Sequence, residues 1–330
     1  MSLVTPLRVG LLGASRIAPK AMIAPIAKRD DMEIVALACR DTDRGAAYAA
    51  EHDLTGIDIH GDYATLCARD DIDLIYNPLP PSLHLDIAKA AARHDRIQLI
   101  EKPFAMTADE AREIATLPSI FIMEAFHYVF HPAFHAFEAA VKTLGPIHNI
   151  TGRFHVTIPN RDGELRHIAK LGGGALMDLG CYPLHMARRI AGREPKIVAA
   201  KAIEGNPGID LYLAAQLDFG AGLTAEISCD MHEDIPRLGF IEVRGAGGTV
   251  RLDNPVHPYR SCTLHTPSET TSLSDRPDWA AQTTYDWQLS AIVDALTHGT
   301  QPPTSGQDAI AQMQAIDEIY RLSGLAALSS

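Results

Sequence analysis

Cysteine is scarce in this 330-residue chain: five residues, odd in number, scattered at positions 39, 67, 181, 229 and 262 and never paired as Cys-x-x-Cys. That excludes a disulfide scaffold and a zinc ribbon, and it points to reduced thiols in a cytoplasmic protein. Positive charge is also in short supply, with 29 Lys and Arg against 41 Asp and Glu for a net −12. An acidic chain of this kind is not expected to take a nucleic acid or an anionic membrane as its main partner. Long hydrophobic runs are missing too, so no membrane span is expected. With so short a stretch between Met1 and the first expected strand, no signal peptide is expected. There is no internal repeat and no low-complexity tract. What remains is ordinary globular composition, 46% hydrophobic and 21% charged, with enough apolar content for sizeable cores. At this length two domains are expected.

The first third alternates short apolar runs with helical stretches. Residues 9–13, 34–39, 56–60, 74–76, 97–100 and 119–123 read as strands, and 16–28, 42–52, 63–68, 82–93 and 107–116 as helices. This alternation predicts an α/β domain over residues 1–124 with a doubly wound parallel sheet. Ligands of such sheets sit beyond the carboxyl ends of the strands, so the residues there are the ones to weigh.

After the first strand comes Gly13-x-Ser15-x-x-Ala18, close to the dinucleotide fingerprint Gly-x-Gly-x-x-Gly/Ala. Gly13 permits a sharp turn and Ala18 a close helix–strand packing, while Ser15 stands in the second glycine position. The N–H groups at the helix start, around Arg16 and Ile17, are then aimed at one point, a ready site for a phosphate. After the second strand come Cys39, Arg40 and Asp41, with Arg44 a helical turn on. Cys39 occupies the position of the acidic residue that takes the ribose hydroxyls in NAD sites, and an arginine there suits the extra phosphate of NADP. NADP is the expected cofactor. NAD stays open, because Asp41 could be the ribose carboxylate displaced by two residues; otherwise Asp41 caps the next helix. After the fifth strand comes Glu101-Lys102-Pro103, where proline disfavours helix and holds the lysine at the strand end. An ammonium so placed could hydrogen-bond a substrate oxygen or pass it a proton.

The ordered combination Gly10-x-x-Gly13-x-Ser15-x-x-Ala18, then Glu101-Lys102-Pro103, then Gly172-Gly-Gly-Ala-Leu-Met-Asp178-Leu-Gly-Cys-Tyr182 resembles the Gfo/Idh/MocA family of oxidoreductases over nearly the whole chain. The resemblance implies an N-terminal Rossmann domain and, at 125–330, a C-terminal α/β domain with a large, mostly antiparallel open sheet that often forms a dimer interface. A homodimer or homotetramer is therefore expected. It also implies a nicotinamide cofactor and a sugar, polyol or cyclic-alcohol substrate. Cofactor contacts are implied at Asn77, Pro78 and His84, in the loop after the fourth strand, and at Glu101 and Lys102.

The second domain has a pattern of its own. A helix is expected over 133–143, strands over 147–158, 211–219, 223–229, 240–244 and 249–252, and two closing helices near 284–297 and 308–322. The pairs around Gly-Ala-Gly and Gly245-Ala-Gly-Gly248 read as hairpins. The Pro-, Ser- and Thr-rich stretch 255–277 reads as a mobile loop.

Asp178 and Tyr182 stand at i and i+4, on one face of a regular helix. A phenol whose pKa is lowered by a nearby ammonium could take the hydroxyl proton while hydride leaves the carbon. Tyrosine at this position resembles the glucose–fructose oxidoreductase and dihydrodiol dehydrogenase branches; many relatives have histidine there. The resemblance thus implies Lys102, Asp178 and Tyr182 as the catalytic set, with Lys102 and Tyr182 converging beside the nicotinamide. Glu124, Arg166 and His185 are secondary substrate candidates. His185 could substitute as acid–base group, Arg166 could reach a substrate hydroxyl or a phosphate, and Glu124 could meet the nicotinamide or act as a hinge. His127, His131 and His135 recur every four residues, but Pro132 interrupts them and no cysteine or carboxylate pair completes a set, so no metal is expected. After Glu-Ala-Phe the sugar-dehydrogenase branch usually carries Met-Tyr-Arg; here the residues are His127-Tyr128-Val129. The expected activity is hydride transfer between NADP(H) and a secondary alcohol or carbonyl of a sugar, polyol or dihydrodiol. The alternatives are an NAD-dependent inositol-type dehydrogenase and a non-catalytic, nucleotide-sensing regulator of the same fold.

Overall fold

Six parallel strands in the order 3-2-1-4-5-6 form the first sheet of this computed structural model, which describes residues 6–325. They are β1 Leu7–Leu12, β2 Met32–Ala38, β3 Asp58–His60, β4 Leu74–Asn77, β5 Ile97–Ile100 and β6 Ile122–Glu124. Every residue of β4 and β5 is buried, which is why these strands read as unbroken apolar runs rather than alternating ones. The order reverses between β1 and β4, so the sheet has its crevice beyond the carboxyl ends of those two strands. This compact unit takes in residues up to Ala105, Asp109–Ala125 and Gln288–Ile310.

The helix after β1 departs from expectation. The segment Gly13–Ile17 is bent, a π-helical turn covers Pro19–Ile23, and only Ala24–Ile26 is α-helical. Pro25 is the physical reason. In an α-helix its ring would press on the carbonyl four residues back and its missing N–H would leave that carbonyl unpaired. The turn before it is widened instead, the Ala24 N–H reaching back five residues to the Pro19 carbonyl.

The second unit comprises Met106–Ala108, Phe126–Trp287 and the residues from Ala311 on. Its sheet has eight strands: β7 Ile147–His155, β8 Lys196–Glu204, β9 Asp210–Asp218, β10 Thr224–Asp230, β11 Leu238–Gly245, β12 Gly248–Asp253, β13 Thr263–His265 and β14 Thr270–Ser272. The order is 14-13-12-11-7-10-9-8, antiparallel throughout except for β7 beside β10. Both expected hairpins form, β9–β10 and β11–β12. The stretch expected as a mobile loop contains β13 and β14, paired onto the sheet edge.

Along β7, Ile150, Gly152 and Phe154 are buried while Asn149, Thr151, Arg153 and His155 are half-exposed. The buried face carries the segment Leu176–Ala191. Gly152 gives it room: a Cβ there would come within 2.7 Å of the Pro183 Cβ. Gly180 does the same from the helix side, lying where a Cβ would meet the Cys229 Sγ at 2.7 Å. This segment starts as a π turn, Leu176–Gly180, and becomes α-helical over Cys181–Ala191. A proline again follows the π turn, at 183.

Candidate active site

At the end of β1 the chain turns through Gly13 with φ +75°, and a Cβ there would touch the Leu79 side chain at 3.0 Å. The turn is tied down from three sides. The Gly13 N–H donates to the Ala38 carbonyl at the end of β2. The Ser15 Oγ accepts from the Ala18 N–H at 3.1 Å, and the Ser15 carbonyl accepts from the Tyr48 hydroxyl at 2.8 Å. Ser15 therefore caps the first turn with a neutral hydroxyl. Arg16 is exposed and Ile17 half-buried.

At the end of β2, Cys39 is buried whereas Arg40 and Arg44 are exposed. The Asp41 carboxylate accepts from the Arg44 N–H at 3.0 Å and caps the Thr42–Glu51 helix. Arg44 also reaches back to the Ala14 carbonyl at 3.3 Å, next to the glycine turn.

At the end of β4, Asn77 is fully buried. Its Oδ1 accepts from the Leu79 N–H at 3.2 Å, and its Nδ2 is a buried donor without a partner among the described residues. Pro78 follows, half-buried. His84 is sealed in, with ring nitrogens 2.8 Å from the Leu79 carbonyl and 3.2 Å from the Phe104 carbonyl. Burial lowers its pKa to about 4. The ring thus props the 77–84 loop against the segment after Lys102 instead of offering a nitrogen to a ligand.

At the end of β5, the Glu101 carboxylate accepts from the Tyr76 hydroxyl at 2.8 Å, and the Lys102–Pro103 peptide is cis. Lys102 is half-buried. Glu124, the last residue of β6, is fully buried and accepts from the Phe104 N–H at 3.0 Å, while Thr304 hydrogen-bonds its backbone. Glu124 acts as a buttress for the segment that follows the lysine.

In the second unit, Gly172, Gly173 and Gly174 are all buried and bring the chain into the π turn that holds Asp178. The Asp178 carboxylate accepts from Arg166 Nε at 2.6 Å, and Arg166 Nη1 donates to Glu164 at 3.0 Å. The Asp178 charge drives the guanidinium pKa further up. Arg166 is committed to two carboxylates and so orients Asp178, a use the sequence did not suggest. Because a π turn separates Asp178 from the α-helix, the regular i, i+4 geometry expected for Asp178 and Tyr182 does not apply.

Tyr182 and His185 are both nearly sealed, 5% and 2% exposed. The Tyr182 hydroxyl lies 3.3 Å from His127 Nε2, and the Tyr128 hydroxyl 2.6 Å from His185 Nδ1. His185 also stacks on Phe126 with ring centres 4.1 Å apart. The histidines spaced by four residues go separate ways. His127 meets Tyr182, His131 caps the Pro132–Lys142 helix through the Ala133 N–H, and His135 meets the Val129 carbonyl. No group of three or more His, Cys, Asp or Glu among the described residues could hold a metal. Glu164, His127 and the aromatic residues around it are the site residues that sequence reasoning missed. Glu164 meets Arg166 only two residues on, and its link to the site runs through the Arg166–Asp178 pair, 12 residues apart. The partner of His127 lies 55 residues away, and no local spacing announces these longer contacts.

The first unit is a dinucleotide-binding domain by topology, turn and strand-end residues. Residues 7–118 match the model of an oxidoreductase family with an NAD-binding Rossmann fold, and 139–251 match the GFO/IDH/MocA C-terminal domain. The chain is 31% identical over 260 residues to the dTDP-3,4-didehydro-2,6-dideoxy-α-D-glucose 3-reductase of Streptomyces antibioticus, covering 76% of this chain and 77% of that one. It is 29% identical over 318 residues to D-xylose 1-dehydrogenase (NADP(+)) 2 of Haloferax volcanii, with 94% and 95% covered. The crystal structure of the aldose-aldose oxidoreductase of Caulobacter crescentus with glycerol shares the fold, with a TM-score of 0.85 at 22% identity over 97% and 98% of the two chains. The chain belongs to the GFO/IDH/MocA family of oxidoreductases. Among the described residues no helix is long and apolar enough to cross a membrane.

Proposed function

We propose that the protein is an NADP(H)-dependent oxidoreductase that moves hydride between the nicotinamide and a secondary alcohol or carbonyl of a sugar, polyol or dihydrodiol. The observation that carries the cofactor choice is at the end of β2. The Asp41 carboxylate, the candidate ribose ligand of an NAD site, is already bonded to the Arg44 N–H, and Arg40 and Arg44 stand exposed beside it. This favours a 2′-phosphate over a bare ribose. The name of the Haloferax volcanii relative points the same way, and the substrate class follows the names of the sugar-acting relatives.

The residues fit such a cofactor. Gly13 lets the backbone approach a pyrophosphate, Ser15 holds the turn open, and the unpartnered Asn77 Nδ2 offers a buried donor at the strand-order reversal. When bound, the nicotinamide supplies the hydride donor or acceptor. The protein's own groups then handle the oxygen. We assign Tyr182 to the proton of the reacting hydroxyl and Lys102 to the charge on that oxygen, with Asp178, held by Arg166, orienting the substrate. The scattered thiols, none of them in a disulfide, support a reducing, cytoplasmic setting.

The test follows reduced-nicotinamide absorbance with a panel of aldoses, polyols and diols, and titrates NADPH and NADH by fluorescence. Turnover lost in Lys102→Ala is expected, with NADPH preferred and the preference cut about 10- to 100-fold by Arg40→Ala, a loss of roughly 1.4–2.8 kcal/mol. Equal affinities in the parent protein overturn the NADP assignment; tight binding without turnover on any substrate makes the protein a sensor.

We also infer that a second copy, in a homodimer or homotetramer, covers the outer face of the eight-stranded sheet. Arg153, Arg244 and Arg251 lie there with Glu226 and Glu242 around one depression, so the face is complementary to itself. Light scattering is expected to give two or four chain masses, and a monomer at micromolar concentration refutes the idea.

A further inference from the structure

We propose that His127 is the proton partner of Tyr182, taking the phenolic proton when the substrate hydroxyl is oxidised and returning it when a carbonyl is reduced. The inference rests on the reading of Tyr182 as the group at the reacting oxygen. A phenol titrates near 10, so at neutral pH it is protonated and cannot accept a second proton unless it gives up its own. His127 Nε2 lies 3.3 Å from that hydroxyl, and the residue is 2% exposed. In the tautomer that leaves Nε2 without a proton, its lone pair faces the phenol and can accept that proton.

The step balances. The substrate O–H bond breaks and its proton bonds to the Tyr182 oxygen. The Tyr182 O–H bond breaks and that proton bonds to His127 Nε2, giving an imidazolium. With a nicotinamide bound by the first unit, the cofactor would supply the acceptor for the C–H electron pair, which leaves the carbon as hydride so that the carbonyl forms. Reduction runs the same bonds backwards, and the imidazolium recharges the phenol.

The geometry looks built to hold this contact. His127 opens a 3-10 turn, His127–Phe130. The next residue in that turn, Tyr128, hydrogen-bonds His185, one turn beyond Tyr182 on the same helix. Two crossed tyrosine–histidine pairs therefore staple the turn to the Cys181–Ala191 helix. The His127 ring is further fixed by Tyr285 at 4.3 Å, His257 at 5.8 Å and the edge of Tyr182 at 6.0 Å between ring centres. Its titratable ring neighbours include Tyr182 from the helix, Tyr285 from the Thr284–His298 helix and His257 from the loop after β12. His257 in turn meets the Tyr259 hydroxyl at 3.3 Å.

The experiment compares parent, His127→Phe, His127→Gln and Tyr182→Phe on the best substrate of the panel. In the oxidation direction the parent kcat is expected to rise with pH through a limb well below the phenol range. In His127→Phe that limb should vanish and kcat at pH 7 should fall about 100-fold, recovering as pH approaches the phenol range. NADPH affinity should stay within threefold and KM should move far less than kcat. His127→Gln, which keeps a polar group near the phenol but cannot hold the proton, should lose the limb as well. It serves as the decisive variant if the phenylalanine variant is poorly folded. Exogenous imidazole should restore part of the rate in either variant. A His127 variant that keeps the limb and a kcat within threefold, beside an inactive Tyr182→Phe, overturns this inference alone. If Tyr182→Phe itself keeps the parent rate and profile, the underlying reading of Tyr182 falls with it.

Discussion

The two units use the same backbone device at their chemical ends and put it to different purposes. In both, left-handed glycine leads into a π turn that passes into α-helix: Gly13, φ +75°, before Pro19–Ile23, and Gly172 and Gly174, φ +85° and +120°, before Leu176–Gly180. The first start is open. A neutral serine hydroxyl caps it, Ala14 and Ser15 are half-buried, and Arg16 is exposed. The second is closed. Residues Gly172–Met177 are buried, and the fully buried Asp210 carboxyl takes the Leu176 N–H at 2.7 Å and the Tyr320 hydroxyl at 2.9 Å. A helix start that a ligand can reach is open to a phosphate, the use we propose for the first. One plugged by the protein's own carboxyl is a frame, and what it frames is the run from Asp178 to Tyr182.

The largest expected effect separates the two starts by glycine substitution. In Gly174→Ala the new Cβ would collide with Asp210 Oδ1 and come within 2.9 Å of the Tyr320 hydroxyl, at a backbone angle that side chains rarely adopt. Steric conflict and strain add, for a loss of about 3–5 kcal/mol. In Gly13→Ala the only close neighbour is the end of the Leu79 side chain at 3.0 Å, which can turn away. The stability loss there is expected at about 1–2 kcal/mol, with the main damage in weaker NADPH binding. Urea denaturation and a cofactor titration on both variants check the pair. Equal stability losses, or unchanged NADPH affinity in Gly13→Ala, would erase the distinction between open and closed starts.

How far the sequence revealed these regions depended on the range of the interaction. The parallel sheet was legible because β4 and β5 are short, wholly buried apolar runs between helices. The antiparallel hairpins were legible from their glycine turns. β8 was not, because it is an edge strand whose Val198 and Ile203 face solvent, 54% and 47% exposed, so apolar residues fall on both faces and the two-residue period is lost. β13 and β14 were hidden for another reason: three residues each, in a Pro-, Ser- and Thr-rich stretch, are too few to show any period. At the site, Gly13, Arg40, Asn77 and Lys102 could be picked out because strand ends follow from topology. The Arg166–Asp178 pair, the His127–Tyr182 contact and the Asp210 plug could not, since each joins residues that only the fold brings together. The π turn that displaces Asp178 was equally silent, although a proline closely follows it, as one does in the first unit.

The smaller expected effect asks what holds the closed start shut. Burial raises the Asp210 pKa to about 7, against the hydrogen bonds from Leu176 and Tyr320 that pull it down. The folded state therefore holds this proton more tightly than the unfolded chain, where a carboxyl titrates near 3.9. The contribution to stability is complete below about pH 4 and is lost as pH rises through 7. Asp210→Asn can keep both contacts, its oxygen accepting from the Leu176 N–H and its amide donating to the Tyr320 oxygen, and it has no proton to lose. The variant is expected to match the parent near pH 4 and to exceed it by roughly 2–4 kcal/mol above pH 7, read as the difference between two urea-derived stability curves. At the open start, Ser15→Ala should cost about 1 kcal/mol for the lost cap, by the same amount at every pH, because a hydroxyl does not titrate there. A pH-independent difference at Asp210 would mean that its carboxyl keeps its charge in the core and that the closed start is held by an anion, not by a neutral, doubly bonded acid.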